Sequence, residues 1–315
     1  MSGAATAGTL ASAPMAMATE AKDVSLPLPG GSEGATVRVH PLLCAEQPAP
    51  PAIFQRPDGP LGLLRGLGLH IPRSRWVTLP IVAFLVEHPT AGAILVDTAF
   101  HESVAHDKRD NLGALGAALY DVHMTPQQAV PHQARERGVD PNDIGHVVMT
   151  HLHYDHASGI SQFPGATFVV ARREWDFASE HGALHGIRQS HFDHAFDWRA
   201  IDFDLDDGVE SHSAFARTVD LFGDGSVRLC FTPGHTLGHM SVLLRLRDRD
   251  LLLCGDAAYT RRAIDERPIP LFVEDEHLYL RSLAEIARHL EQAPDTVVIP
   301  GHDPDVWPTL DPLYE

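Results

Sequence analysis

A chain of 315 residues has room for a sizeable buried core, and 44% hydrophobic with 21% charged residues is the make-up of a soluble globular protein. The net charge of −18 repels phosphate backbones, so no nucleic-acid partner is expected, and no apolar stretch approaches the ~20 residues of a membrane span, so no membrane partner is expected either. Cys44, Cys230 and Cys254 are too scattered for a disulfide framework or a Cys-x-x-Cys motif; they read as small buried hydrophobes in a reducing, cytoplasmic setting.

Residues 1–35 are rich in Ala, Ser, Gly and Thr, with no basic stretch ahead of an apolar one, and read as a disordered arm rather than a secretory signal. One structured domain is expected over 36–315. Strands are expected at 36–43, 80–87 and 92–98. Between the first two, residues 48–75 form a Pro/Gly-rich connection carrying Leu61, Leu63, Leu64, Leu67, Leu69 and Ile71, either packed on the core or forming a greasy wall over a site. Helices follow at 111–120 and from Thr125 to Gly138, with Pro131 interrupting or restarting the second. Strands are read at 146–150 and 167–171, a helix at 172–180, and an irregular insertion over 174–222, where Trp175 and Trp198 read as packing residues. Further strands come at 226–232, 239–246 and 251–255, then an amphipathic helix at 276–292 and a last strand at 296–300.

The chain has 21 histidines and no histidine tract, which points to imidazole chemistry. Thr150-His151-Leu152-His153-Tyr154-Asp155-His156 follows an apolar strand directly. His151 and His153, two apart, project from one face of an extended chain, and Asp155 and His156 join them if the chain then curls. Imidazole nitrogen mixed with carboxylate oxygen is a donor set that suits zinc. Three more segments repeat the pattern of an apolar strand followed by a Gly-flanked His or Asp: Thr232-Pro233-Gly234-His235, Cys254-Gly255-Asp256 and Pro300-Gly301-His302-Asp303. Glycine beside each ligand lets backbone approach closely. His191 and His194 form a His-x-x-His without a carboxylate at motif spacing and read as surface or channel lining; His239 reads as buried or as a donor behind the ligands.

Together these segments resemble the metallo-β-lactamase superfamily over roughly residues 36–303. Asp256-Ala257-Ala258-Tyr259-Thr260 and Pro300-Gly301-His302-Asp303 are similar to the N-acyl-homoserine lactonase, or quorum-quenching, family. The resemblance implies an α/β fold, a four-layer αβ/βα sandwich of two mixed β-sheets flanked by helices, with the metals at one end of the sheets. It places His151, His153 and His235 on one divalent metal, Asp155, His156 and His302 on a second, and Asp256 between them, so that two zinc ions per chain are expected. Asp97, in Leu95-Val96-Asp97-Thr98, matches an early strand-end aspartate that orients a ligand.

Tyr259 matches the tyrosine that lactonases hold beside the substrate carbonyl, and Asp155 is the candidate proton shuttle; these two are the expected catalytic residues. The implied reaction opens the lactone ring of N-acyl homoserine lactones or related lactones by attack of a metal-bridging hydroxide on a small neutral lactone or ester. A homodimer is left open. A glyoxalase II-like thioesterase or another ester hydrolase of the superfamily is the main rival; a mono-iron sulfur dioxygenase and a non-catalytic metal-binding protein are remoter ones. Ser158 departs from the family's usual glycine, and the lactonases' pocket loops are not recognisable in 48–75 or 174–222.

Overall fold

The run Ile81-Val82-Ala83-Phe84-Leu85-Val86 is buried at every position, as expected of a strand covered on one side by helices and on the other by a second sheet. It belongs to β3 (Val77–His88) in a computed structural model that describes residues 19–57, 59, 66, 68, 71–194 and 196–315. The first sheet also contains β1 (Lys22–Asp23), β2 (Arg38–Ala49), β4 (Gly92–Val96), β5 (Ile144–Val148), β6 (Thr167–Ala171) and β7 (Asp197–Ile201), in the spatial order β1-β7-β6-β5-β4-β3-β2. Strands β2 to β4 pair antiparallel, and β4 to β7 pair parallel. The second sheet contains β8 (Val209–His212), β9 (Phe215–Asp220), β10 (Val227–Phe231), β11 (Met240–Arg245), β12 (Asp250–Leu253) and β13 (Val297–Ile299), ordered from β13 to β8. Only the β12–β13 pair in it is parallel.

Inner faces of the two sheets share one core, with Val39, Phe84, Val96 and Val148 from one and Leu229, Phe231, Val242 and Leu253 from the other. Helices α1 (Lys108–Leu119), α2 (Val130–Glu136) and α4 (Arg172–Glu180) cover the outer face of the first sheet, through residues such as Leu112, Ala134 and Trp175. The single turn α3 (Tyr154–Ala157) follows β5. On the second sheet, α5 (Arg261–Glu266) and α6 (Glu276–Gln292) pack Ile264, Leu283 and Ile286 onto Cys230, Leu243 and Leu252. The result is the expected four-layer αβ/βα sandwich.

Two expectations are corrected. The segment 19–35 is not a loose arm: β1 pairs with β7, and Leu28 N–H donates to Leu221 O at 2.8 Å. Residues 1–18 lie outside the described residues. The stretch 174–222 is not an irregular insertion either, since it carries β7, β8 and β9 as well as most of α4. Leu61, Leu63, Leu64, Leu67 and Leu69 also lie outside the described residues. Pro131 does restart its helix, after a 3-10 turn at Pro126–Gln128. All three cysteines are buried and free. Trp175 and Trp198 pack against each other in the core with their rings tilted by 50° and centroids 4.9 Å apart. Among the described residues no helix is long and apolar enough to cross a membrane.

His191 is buried, with its Nε2 at 3.0 Å from Asn111 O, and burial pulls its pKa from 6.5 down to about 4. Below 6.5 the unfolded chain takes up a proton that the folded chain refuses, so stability falls as pH drops from about 6.5 to about 4, by at most about 3 kcal/mol for a shift of that size. Melts of metal-free protein should show this loss, and His191→Phe should flatten it by about one proton. A slope identical to that of the wild type would show that the imidazole is not held neutral.

Candidate metal centre

Strands β5, β10, β12 and β13 end at the same edge of the sandwich, and the loops after them converge. Met240 N–H donates to Thr150 O across the seam between the sheets at 2.9 Å, and Cys254 N–H donates to Ile299 O at 2.9 Å. After β5 the chain bends at Thr150, is extended at His153 and then curls into α3, which turns Asp155 and His156 inward. Gly301 allows a close approach: a Cβ there would lie 2.7 Å from Asp256 Oδ1.

All seven candidate ligands come together in two groups, His151, His153, His235 and Asp256 in one and Asp155, His156 and His302 in the other. In the first, His235 Nε2 lies 2.9 Å from His153 Nδ1 and 3.2 Å from His151 Nε2, and His151 Nε2 lies 3.2 Å from His153 Nδ1. Asp256 joins the groups. Its Oδ2 is 3.2 Å from His235 Nε2, while its Oδ1 is 3.1 Å from His302 Nε2 and 3.4 Å from His156 Nε2. Asp155 Oδ2 lies 3.5 Å from His302 Nε2.

Outer contacts decide which ring nitrogens carry protons. Thr150 Oγ1 donates to Asp97 Oδ2 at 2.8 Å and can then accept from His151 Nδ1 at 3.1 Å, which leaves His151 Nε2 bare. His156 Nδ1 donates to Asp97 Oδ2 at 2.7 Å, and His302 Nδ1 donates to Pro80 O at 2.9 Å. Their Nε2 lone pairs therefore point at carboxylate oxygens. Buried acceptors facing acceptors demand a positive charge between them, a proton or a metal ion, and His156 Nε2 and Asp256 Oδ1 have no hydrogen-bond partner within the protein. The donor set fits metal ions.

Titration tells the same story. Burial, followed by the neighbouring imidazoles, holds His151 well below its ordinary value; burial also holds His235 well below, against the pull of Asp256. Both are bare and ready to ligate at neutral pH. For His156 and His302 burial acts downward, but Asp97, Asp256 and Asp155 around the first, and Asp256 and Asp155 around the second, outweigh it and raise both. Asp256 is held well below the usual carboxylate range: burial opposes this, and His302, His156 and His235 overcome it. The metal-free site thus draws in positive charge, and metal binding should expel protons.

Tyr259, only 5% exposed, stands between the groups, with its ring 5.5 Å from the rings of both His235 and His302. Its hydroxyl is 3.3 Å from His235 Nδ1. With His235 Nε2 bare, Nδ1 carries the proton and donates, leaving the phenol proton free for another acceptor. Burial, with Asp256 next, raises the phenol well above its ordinary value, so it remains a donor. Asp97 occupies the expected place, with backbone φ of 60° and also accepting from Thr150 N–H at 2.8 Å. Such an unfavourable backbone persists where its surroundings fix it. His239 is both buried and a positioning contact, since its Nε2 accepts from Asp256 N–H at 2.9 Å. His191 and His194 belong to neither group. Glu174, fully buried beside the ligand loops, was not anticipated from sequence; a carboxylate on the face of α4 that also carries Phe177 and Ala178 is the signal that could have found it.

The family model described as the metallo-beta-lactamase superfamily matches residues 76–302. The chain belongs to that superfamily. More particularly, it is 34% identical over 236 residues to the N-acyl homoserine lactonase AttM of Azorhizobium caulinodans, covering 74% of this chain and 85% of that protein. It is also 34% identical over 233 residues to AttM of Agrobacterium fabrum, covering 73% and 84%. Among solved structures, an N-acyl homoserine lactone hydrolase with the product N-hexanoyl-L-homoserine at its catalytic metal centre superposes with a TM-score of 0.70 at 21% identity, over 89% of this chain and all of that one. That likeness is one of fold.

Asp97→Asn should place an amide NH2 against the His156 and Thr150 donors. Metal affinity, measured by competition with a chelator, should fall roughly 10- to 100-fold. Unchanged affinity would mean that Asp97 does not orient His156.

Proposed function

We propose that this metal-dependent hydrolase opens the ring of N-acyl homoserine lactones or closely related lactones, using two zinc ions. The observation that carries the reading is the joining of two imidazole-rich groups by the opposed oxygens of one buried carboxylate, Asp256, with the free phenol proton of Tyr259 beside both. The names of the AttM relatives supply the substrate class. When bound, the metals supply hydroxide at neutral pH and a positive field for developing negative charge.

The chain's own residues do the rest. His151, His153 and His235 would hold one ion and Asp155, His156 and His302 the other, with Asp256 shared between them. Tyr259 donates its phenol proton to the carbonyl oxygen as that oxygen gains charge. Asp155 is the carboxylate ligand with the greater access to water, its side chain 17% exposed against 3% for Asp256. As a shuttle it takes the proton that the attacking hydroxide loses as the new carbon–oxygen bond forms and hands it to the ring oxygen as the ring bond breaks. The deep burial of His151, His156, His235, Asp256 and His302 keeps bulk water from competing for these contacts.

Protein purified without chelator should carry about two zinc ions per chain; a value held near one after zinc reconstitution would remove the bridging role of Asp256 and favour a mononuclear chemistry. Turnover of N-acyl homoserine lactones should exceed that of a thioester, and the reverse order would assign the site to thioester cleavage. Tyr259→Phe should keep its metal content while kcat falls roughly 10- to 1,000-fold. A variant that melts earlier but turns over normally per metal-loaded molecule would make Tyr259 a packing residue.

A further inference from the structure

Behind the first metal group lies a buried carboxylate that is not one of the seven candidate ligands. Glu174 sits in the first turn of α4 and is fully buried. Its Oε1 accepts from Leu152 N–H at 2.9 Å, and its Oε2 accepts from Thr236 Oγ1 at 2.5 Å. Gly238 N–H is a third donor to it. Leu152 stands between His151 and His153, and Thr236 follows His235 directly. The approach is so close that a Cβ on Gly238 would lie 2.0 Å from Glu174 N, so only glycine lets the loop pass.

We propose that Glu174 is a positioning residue that clips together the two loops bearing His151, His153 and His235, setting the relative placement of the three imidazoles that share one metal. These histidines come from different sheets, and their ring nitrogens must meet within 3.2 Å. One buried carboxylate accepting from both loops fixes that spacing more tightly than either loop does alone. Packing alone would not favour an acid here. Burial raises the Glu174 carboxyl to about 7 even against three hydrogen bonds, so a neutral side chain of the same shape would be the easier one to bury.

The inference rests on the metal-binding reading of the site, and the test separates the two. Wild-type protein, Glu174→Gln, Thr236→Val and the double variant are loaded with zinc and titrated with a competing chelator, and the visible spectrum of each cobalt(II)-substituted protein is recorded. Glu174→Gln should bind metal roughly 10- to 100-fold more weakly, with altered cobalt bands and a Tm no lower than that of the wild type in the metal-free state. Thr236→Val, which removes one donor, should show a smaller loss. The double variant should be no weaker than Glu174→Gln, because both changes act through one carboxylate. Wild-type affinity and spectrum in Glu174→Gln, or losses that add in the double variant, overturn the proposal and leave the metal reading intact. Wild-type protein that binds no metal overturns both. If Glu174→Gln does not fold, Thr236→Val decides: unchanged affinity and spectrum overturn the proposal.

Discussion

Three imidazole nitrogens lie within 3.2 Å of one another, and His151 and His235 each have the far nitrogen of the ring placed to donate its proton elsewhere. At most one of their mutual contacts can then be a hydrogen bond, and the rest are repulsive unless a cation sits among them. The second group solves the problem differently: the carboxylates around His156 and His302 raise both, so that protons on their Nε2 atoms face the oxygens of Asp256 and Asp155 until a metal displaces them. Folding delivers the first group to one place although, without the ion, its nitrogens repel. Much of the surrounding structure holds them there.

That holding is done by polar contacts buried at strand ends. Asp256 N–H donates to His239 Nε2, which puts the His239 proton on Nδ1, facing Thr232 Oγ1 at 3.0 Å. Thr232 Oγ1 meets Ser241 Oγ at 2.9 Å, and Ser241 Oγ donates to Cys254 O at 2.8 Å. The relay runs across the ends of β10, β11 and β12, so the bridging carboxylate inherits the rigidity of the sheet. Asp97 does the same for His156 from the end of β4, and Pro80 O for His302 from within β3. Each contact leaves the ligating nitrogen bare, so orientation and readiness to bind come from one hydrogen bond.

The sequence disclosed the ligands because they are contiguous or marked by glycine: four lie within 151–156, and the others each follow an apolar strand and a Gly. Asp97 and Tyr259 were visible through the motifs around them. Glu174 was not, because a single glutamate in a helix reads as a solvated residue until tertiary packing buries it. The strands within 174–222 were hidden for a related reason. β8 is an edge strand with no buried residue, so its side chains carry no apolar alternation. β7 mixes Asp197 and Arg199 with Trp198, which blurs its period. The segment 19–35 lacks a hydrophobic pattern because β1 is held by backbone pairing, with its own two side chains exposed.

The ligands straddle the seam: His151 through His156 follow a strand of the first sheet, and His235, Asp256 and His302 follow strands of the second. A bound ion is therefore a clasp between two halves of the sandwich rather than a pin within one. Pulling the sheets apart would load the metal–ligand bonds directly, and stripping the metal would loosen the joint before either half unravelled. Synthesis meets the same joint from the other side. The carboxylate and three imidazoles of 151–156 leave the ribosome together as an open half-clasp, while His302 arrives 222 residues after the Pro80 carbonyl that will anchor it. The clasp can shut only when the last strand has docked, so a fully ligated metal marks a chain whose two halves have already met.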